Sequence, residues 1–350
     1  MEKLEISEHG NAYKPIPQIT HHFLIPIYTG IGNAVLLTPL LSTLKNCYPT
    51  SSTTLIGTNK GIHDLFANDP RVDHIIEIID NKSYTVYFHT ILGGKKTLGF
   101  NFRIKNPNAL IITQRIDGGV FNIKEKIFNR LTQAKNTMIN PNLHETIQYL
   151  LMLNALGISN EEWIKIPSLN ITSEEISAPQ TPYCIIQIGA ANNTPEPKIW
   201  PIDNWQVIIE KLTQKMHVII VGSKNEAQEF NQKNVHNLIG KTTLPQVVHM
   251  MTHAQFFLGV DSGLGHISGA LNNHTLILWG PTHFNKPHQV GKNTHFITLN
   301  KPCSPCRGPE PMGLLSGINS LKKCAFNNAC MKEITVESVL AKLINLKWIK

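Results

Sequence analysis

"HHFLIPIYTGIGNAVLLTPLL", residues 21–41, decides how the rest of the chain is read. The first eight residues are almost wholly apolar, as in a strand buried on both faces. The glycines at 30 and 32 then make a tight turn, and residues 32 to 46 space their apolar side chains as a helix does. A strand entering a helix through a glycine turn is the first half of a βαβ unit, and that turn faces a ligand. Gly30 and Gly32 are therefore candidate binding positions. Asn33 stands where a reacting group would stand, although an amide takes no proton from a substrate. Pro39 lies inside the helical pattern, so the helix either bends there or starts late, with Thr38 as its cap.

The same alternation continues outward. "TTLIGT", "VDHIIEII" and "NALIITQRI" read as strands, and "HETIQYLLMLNALGI" as a helix ending near a glycine. Residues 158 to 181 are polar and proline-bearing and read as a linker. Strands and helices then resume: "YCIIQIGA", a helix from Asp203, "HVIIVGS", a helix over "NEAQEFNQK", "VHNLIG", "TLPQVVHMMTHA", "QFFLGVDSG", "GHISGALN" and "HTLILWGPT". Two β-α-β runs imply an α/β protein of two Rossmann-like domains facing a central cleft. The N-terminal one covers 1–165 and the C-terminal one 180–334, followed by a helix within 335–350. Ligands of such sheets bind at the carboxyl ends of the strands.

The 350 residues are 41% hydrophobic and 16% charged, which suits two globular cores. The net charge of +8 reads either as ordinary solubility or as a match to an anionic partner, such as a phosphorylated ligand or a membrane surface. No dense Lys/Arg block occurs, so nucleic acid is not an expected partner. The N-terminus "MEKLEISEHG" lacks a basic then apolar leader, and no apolar run reaches about 18 residues. The expected location is the cytoplasm, with membrane contact peripheral if made.

Three loops at strand ends carry the chemistry. In "GVDSGLGHISGAL", Asp261 and Ser262 cap a helix, Gly263 lets a phosphate approach its free N–H groups, and His266 stands in its first turn. A plain capped helix with a packed histidine reads the same way. "TPEPKIWPIDNW" holds Lys198 in a stiff loop, where it suits a diphosphate or is a surface lysine beside a packed tryptophan. Glu226, in "VGSKNEAQ", either binds ribose hydroxyls or is a solvated first-turn glutamate. No D-x-D pair is present, so a metal-bridged diphosphate is not signalled and no catalytic cofactor is expected.

Together "GIGNAVLLTPLLSTLK", "HETIQYLLMLNALGI", "PKIWPIDNW", "VDSGLGH" and "GPT" resemble glycosyltransferase family 9, the ADP-heptose:lipopolysaccharide heptosyltransferases and their relatives. The resemblance runs from about residue 23 to 345. It implies a GT-B fold and inverting, metal-independent transfer from a nucleotide-diphosphate sugar, with the donor on the C-terminal domain and the acceptor on the other. Lys198 matches the lysine that contacts phosphate and sugar, and Asp261 the aspartate near the donor sugar. Ser262, Gly263 and His266 match the diphosphate-binding helix start, and Glu226 the ribose-binding glutamate. The last helix is expected to pack back on the N-terminal domain. The resemblance points to ADP-heptose as donor and a lipopolysaccharide core sugar as acceptor. A protein or other glycan acceptor is an alternative, as is a non-catalytic sugar-nucleotide-binding scaffold.

Well-described members carry an aspartate, the general base, where this chain has Asn33, although relatives reading G-x-G-N also occur. Asp117 in "QRIDGG", at a strand end of the same domain, is the candidate to serve instead, or it only makes an Asp-Gly turn.

Finally, Cys303, Cys306, Cys324 and Cys330 are spaced C-x2-C-x17-C-x5-C within segment 303–330. Four thiolates with a tight first pair suit tetrahedral zinc or iron in a structural role. Reduced unbound cysteines and disulfides are the alternatives.

Overall fold

The computed structural model describes residues 20–350 apart from Thr29, 91–95, 117–122, 140–142, 190–197, Ala227, 283–290, Asn300, Pro305, 307–323 and Ala325. The first half runs β1 (His22–Pro26), α1 (Ile31–Cys47), β2 (Ser52–Ile56), α2 (Lys60–Phe66), β3 (His74–Ile76), β4 (Val86–His89), α3 (Lys96–Lys105), β5 (Leu110–Ile116), α4 (Ile123–Thr132), β6 (Lys135–Ile139) and α5 (Glu145–Leu150). The second runs β7 (Tyr183–Gln187), α6 (Ile202–Thr213), β8 (His217–Ile220), β9 (Val235–Asn237), α7 (Leu244–His253), β10 (Phe257–Val260), α8 (Gly263–Ala270), β11 (Thr275–Trp279) and β12 (Thr294–Thr298). Two short helices, Ala329–Lys332 and Val336–Asn345, follow.

Both sheets are parallel and share one winding. The first is ordered β3-β2-β1-β4-β5-β6 and the second β12-β11-β10-β7-β8-β9. The chain reverses direction across the sheet between β1 and β4, and again between β7 and β10. Ligands sit at such switch points, beyond the strands' carboxyl ends. This is the expected pair of Rossmann-like domains of the GT-B fold.

The central strands are apolar because helices cover both of their faces. Phe23 and Ile25 pack with α1, while Leu24 points to the opposite face with Tyr87, Phe102 and Ile111. The first of these cores continues into the second domain through Ile185, Val247, Leu264 and Ile267. The linker is tied to both halves. Ser168 accepts from the Arg71 guanidinium, and the Glu174 carboxylate accepts from Thr243 Oγ1 and Gln246 Nε2, each at 2.9 Å.

Helix α1 starts at Ile31, which rules out the late start at Thr38, and it runs through Pro39. A proline leaves the carbonyl four residues back without its N–H partner. That carbonyl belongs to Val35, and it accepts from the Thr38 hydroxyl at 2.7 Å. The freed acceptor is thus satisfied inside the helix.

Three expectations change. The helix over "NEAQEFNQK" is only one turn, Lys224–Glu226, because the Glu226 carboxylate turns back to bind Ser223. The last helix does not pack on the N-terminal domain. Val336, Val339 and Leu343 bury with Trp205, Ile208 and Leu212 of α6 in the C-terminal core. The short elements β4, β6, β12, α3 and α4 went unread in the sequence. Among the described residues no helix is long and apolar enough to cross a membrane.

Thr38 is fully buried, so Thr38→Val keeps the shape and strands the Val35 carbonyl. A loss of about 1–3 kcal/mol is expected, read as a lower urea midpoint at unchanged slope.

Candidate active site

The site forms where the two switch points meet. Helix α1 begins at Gly30, its N-cap, and helix α8 begins at Ser262. The two starts touch. A Cβ on Gly32 would lie 2.8 Å from His266 Cδ2 and 3.5 Å from the Gly263 Cα. A Cβ on Gly263 would lie 2.4 Å from Ile31 Cγ1. Only glycines permit this approach. The structure therefore brings Ile31 and Gly32 of the first domain against Gly263 and His266 of the second, with Gly30 and Asn33 next to them at the start of α1 and Ser262 at the start of α8. Asn33 lies half-buried in the first turn of α1.

Asp261 follows β10 directly and is buried. Its Oδ2 meets Lys198 Nζ at 2.7 Å and accepts from Thr282 Oγ1 at 2.6 Å. His266 Nε2 lies 3.8 Å from Oδ1. Burial works to raise the carboxyl, but Lys198, His266 and the hydrogen bonds outweigh it and hold the pKa below its usual value. Asp261 is thus a fixed anion that aims Lys198 and Thr282. Lys198 is steadied two residues on by Trp200, whose indole N–H donates to the Ile334 carbonyl at 2.8 Å and whose ring meets Trp205 edge-on. The lysine is part of an anchored loop and not a free surface group.

Ser262 caps α8 by accepting from Gly265 N at 3.4 Å, and its hydroxyl donates to Gln187 Oε1. The N–H groups ahead of Gly265 in this first turn have no intrahelical acceptor. Glu226 stands at the end of β8. One oxygen, Oε1, accepts from Ser223 N and Ser223 Oγ, both at 2.9 Å. The other, Oε2, is buried and has no partner among the described residues. Gly189 and Gly222 flank it, and a Cβ on either would lie within 2.9 Å of Oε2. A buried carboxylate oxygen without a donor has an acceptor position to offer. The hydroxyls of a ribose would fill it.

Asp117 lies outside the described residues, directly after β5. Sequence reasoning missed Gln187, and it quoted Thr282 only within the "GPT" motif without giving it a role. A polar side chain closing the apolar run "YCIIQ" was the available signal for Gln187.

The four cysteines gather at one turn. Cys306 N donates to the Pro281 carbonyl, and Gly280 lies against Cys330 Sγ. Burial, then the neighbouring thiols of Cys306, Cys303 and Cys324, pushes Cys330 up to about 11. None is in a disulfide. Among the described residues, however, no three Cys, His, Asp or Glu side chains are arranged to hold a metal. The expected tetrahedral site is present as neighbouring thiols, not as a formed ligand set.

A carboxyl whose pKa is depressed by folding stabilises the protein above its unfolded pKa, and that contribution goes as the pH falls through the folded value. Asp261→Asn is therefore expected to cost about 2 kcal/mol near neutral pH. The gap to the wild type should narrow below about pH 4, followed by denaturant unfolding across the acid range.

Comparison with known proteins agrees with this geometry. The model of the family described as Glycosyltransferase family 9 (heptosyltransferase) matches residues 149–313. Lipopolysaccharide heptosyltransferase 3 of Escherichia coli is 23% identical over 291 residues, covering 72% of this chain and 80% of that protein. The solved ADP-heptose lps heptosyltransferase II of E. coli superposes with a TM-score of 0.67 at 16% identity, covering 94% of this chain and 98% of its own. The dodecameric iron-containing heptosyltransferase TibC, solved with ADP-D-beta-D-heptose, has a TM-score of 0.62 at 16% identity, covering 93% and 76%. The motifs and the paired sheets thus agree with these matches: residues 149–313 are similar to glycosyltransferase family 9, and the chain shares the GT-B fold of the solved heptosyltransferases.

Proposed function

We propose that the chain transfers a heptose from ADP-heptose to a lipopolysaccharide core acceptor, with inversion and without a catalytic metal. The observation that carries the donor half is Glu226 Oε2, without a partner among the described residues, at the same sheet edge as the Lys198–Asp261 pair and the start of α8. These offer one acceptor for ribose, one cation and a set of N–H groups for a diphosphate. The relatives' names, as lipopolysaccharide heptosyltransferases, support the choice of donor and acceptor.

In this reading an acceptor hydroxyl attacks the anomeric carbon from the face opposite the diphosphate. Its proton passes to a base, the new C–O bond forms, and the bond to the diphosphate oxygen breaks with its electrons. Lys198 and the Ser262–Gly263 amides hold the charge that develops on the leaving group. Asn33, in the first turn of α1, orients the hydroxyl. Asp117, just past β5, takes the proton. The contact between the helix starts brings the donor and acceptor sides together, which supplies orientation and limits water.

We also propose a structural zinc or iron on Cys303, Cys306, Cys324 and Cys330. Four thiols at one turn are the donor set such ions take, and one relative is described as iron-containing. The metal would hold the Gly280–Pro281 turn and takes no part in transfer.

Thermal unfolding with ADP, UDP, GDP and CMP, and with their sugars, tests the donor. A ligand at 100 times its Kd adds about 2.7 kcal/mol, or several degrees. ADP compounds alone should produce that shift, and Glu226→Gln should abolish most of it. Another base would replace the donor, and no shift with any nucleotide would favour the scaffold reading. In transfer assays Lys198→Ala and Asp117→Asn are each expected to lose about 10²-fold or more in kcat, and Asn33→Ala less. For the metal, protein purified without chelator should contain one zinc or iron per chain. Its removal should lower Tm and leave the ADP shift unchanged; folded, metal-free protein would count against the site.

A further inference from the structure

Two histidines at the edge of the second sheet bring their ring nitrogens together. His217 opens β8, and His236 is the middle residue of β9, the edge strand. The strands are parallel, with Ile219 opposite His236. His217 comes two residues before Ile219, so its side chain leaves the sheet on the same face as that of His236. The ring centroids are 5.1 Å apart, and His217 Nδ1 lies 2.9 Å from His236 Nε2. His217 is half-buried and His236 exposed, so solvent reaches the pair.

Two neutral imidazoles at this distance share one hydrogen bond, in which one nitrogen donates and the other gives its lone pair. Burial, then repulsion from a charged His217, lowers the pKa of His236, so its ring keeps a lone pair at neutral pH. The same geometry suits an ion in place of the shared proton. Imidazole nitrogens bound about 2.0–2.1 Å from one ion, at right angles about it, lie about 2.9 Å apart, whereas tetrahedral ligands lie about 3.3 Å apart. The pair therefore matches neighbouring positions of a tetragonal ion, the geometry of copper(II) and nickel(II), better than those of tetrahedral zinc. A second close pair, His249 and His253, stands one turn apart on α7 with centroids at 4.9 Å. There His253 Nδ1 lies 2.9 Å from the His249 carbonyl oxygen and 3.1 Å from Thr252 Oγ1, so it is turned onto its own helix.

We propose that His217 Nδ1 and His236 Nε2 form a two-nitrogen site for a divalent transition-metal ion of the nickel and copper class, with water in the remaining positions. In the bound form each neutral ring carries its proton on the outer nitrogen, Nε2 of His217 and Nδ1 of His236, so the exchange releases none. The ion replaces one hydrogen bond and ties the edge strand to its neighbour. Beyond these strands the Gly222 carbonyl accepts from Gly240 N at 2.9 Å, and the Glu226 turn lies between them in the chain. The ion thus staples the two strands that bracket that turn. The inference rests on this geometry and not on the donor reading.

Nickel chloride titrated into the full chain at neutral pH, followed by calorimetry and by thermal unfolding, tests it. One ion per chain should bind without the near-ultraviolet absorption that marks thiolate ligation. It should raise Tm and leave the ADP shift unchanged. His217→Gln and His236→Gln should each weaken binding about tenfold or more, since a single ligand loses the gain of holding the ion twice. His236→Gln changes an exposed edge position and should keep the wild-type Tm when nickel is absent. Magnesium, which takes oxygen ligands, should have no effect. Three results would overturn the proposal: no such nickel binding by the wild type, undiminished binding in both glutamine variants, or loss only in His253→Gln, which would move the site to α7.

Discussion

Two helices from different domains begin against each other, and no side chain separates them at Gly32 and Gly263. The architecture of the site depends on this contact. It brings the carboxyl edges of two independent sheets to a common point, so residues about 230 positions apart in sequence share one cleft. Any side chain at either position would displace Ile31 or His266. The linker supports this spacing through polar contacts such as Arg71 to Ser168 and through Ile158, Trp163, Leu169 and Ile171, which pack with the shared core. The shared core along α1, α7 and α8 then locks the arrangement.

Within that frame the electrostatics are settled before any ligand arrives. Asp261 is ionised and held by Lys198 and Thr282. A buried pair of this kind adds little net stability, because desolvation offsets most of the attraction. What it supplies is direction. The lysine is followed two residues on by Trp200, which is pinned to the core, so its direction is set by the fold.

The parts legible in the sequence were those in which a local pattern has one physical meaning. Apolar runs such as "HHFLIPIY" and "YCIIQIGA" can only be buried strands once turns bound them. The start of α8 was marked by Asp261, Ser262 and Gly263 together. The short strands β4 and β12 were not legible, since four or five residues carry too little periodicity. Helix Val336–Asn345 was visibly amphipathic, but an apolar stripe says that a face is buried and not which partner covers it. Gln187 and Thr282 were hidden for the same reason: their roles come from Ser262 and Asp261, which are distant in sequence. The sequence singled out Asn33 by its place in the turn, and the structure puts it in the first turn of α1.

The two touching helix starts have one more consequence. Each helix end carries roughly half a positive charge, arising from aligned peptide dipoles. These like ends lie close together at the seam. A polyanion lodged at the seam cancels both, acting as a counter-ion shared by the two halves. Its affinity is then linked to how firmly the halves are held together. A change at the seam that never touches the ligand will alter how strongly the ligand is held, and the ligand will in turn stiffen the seam.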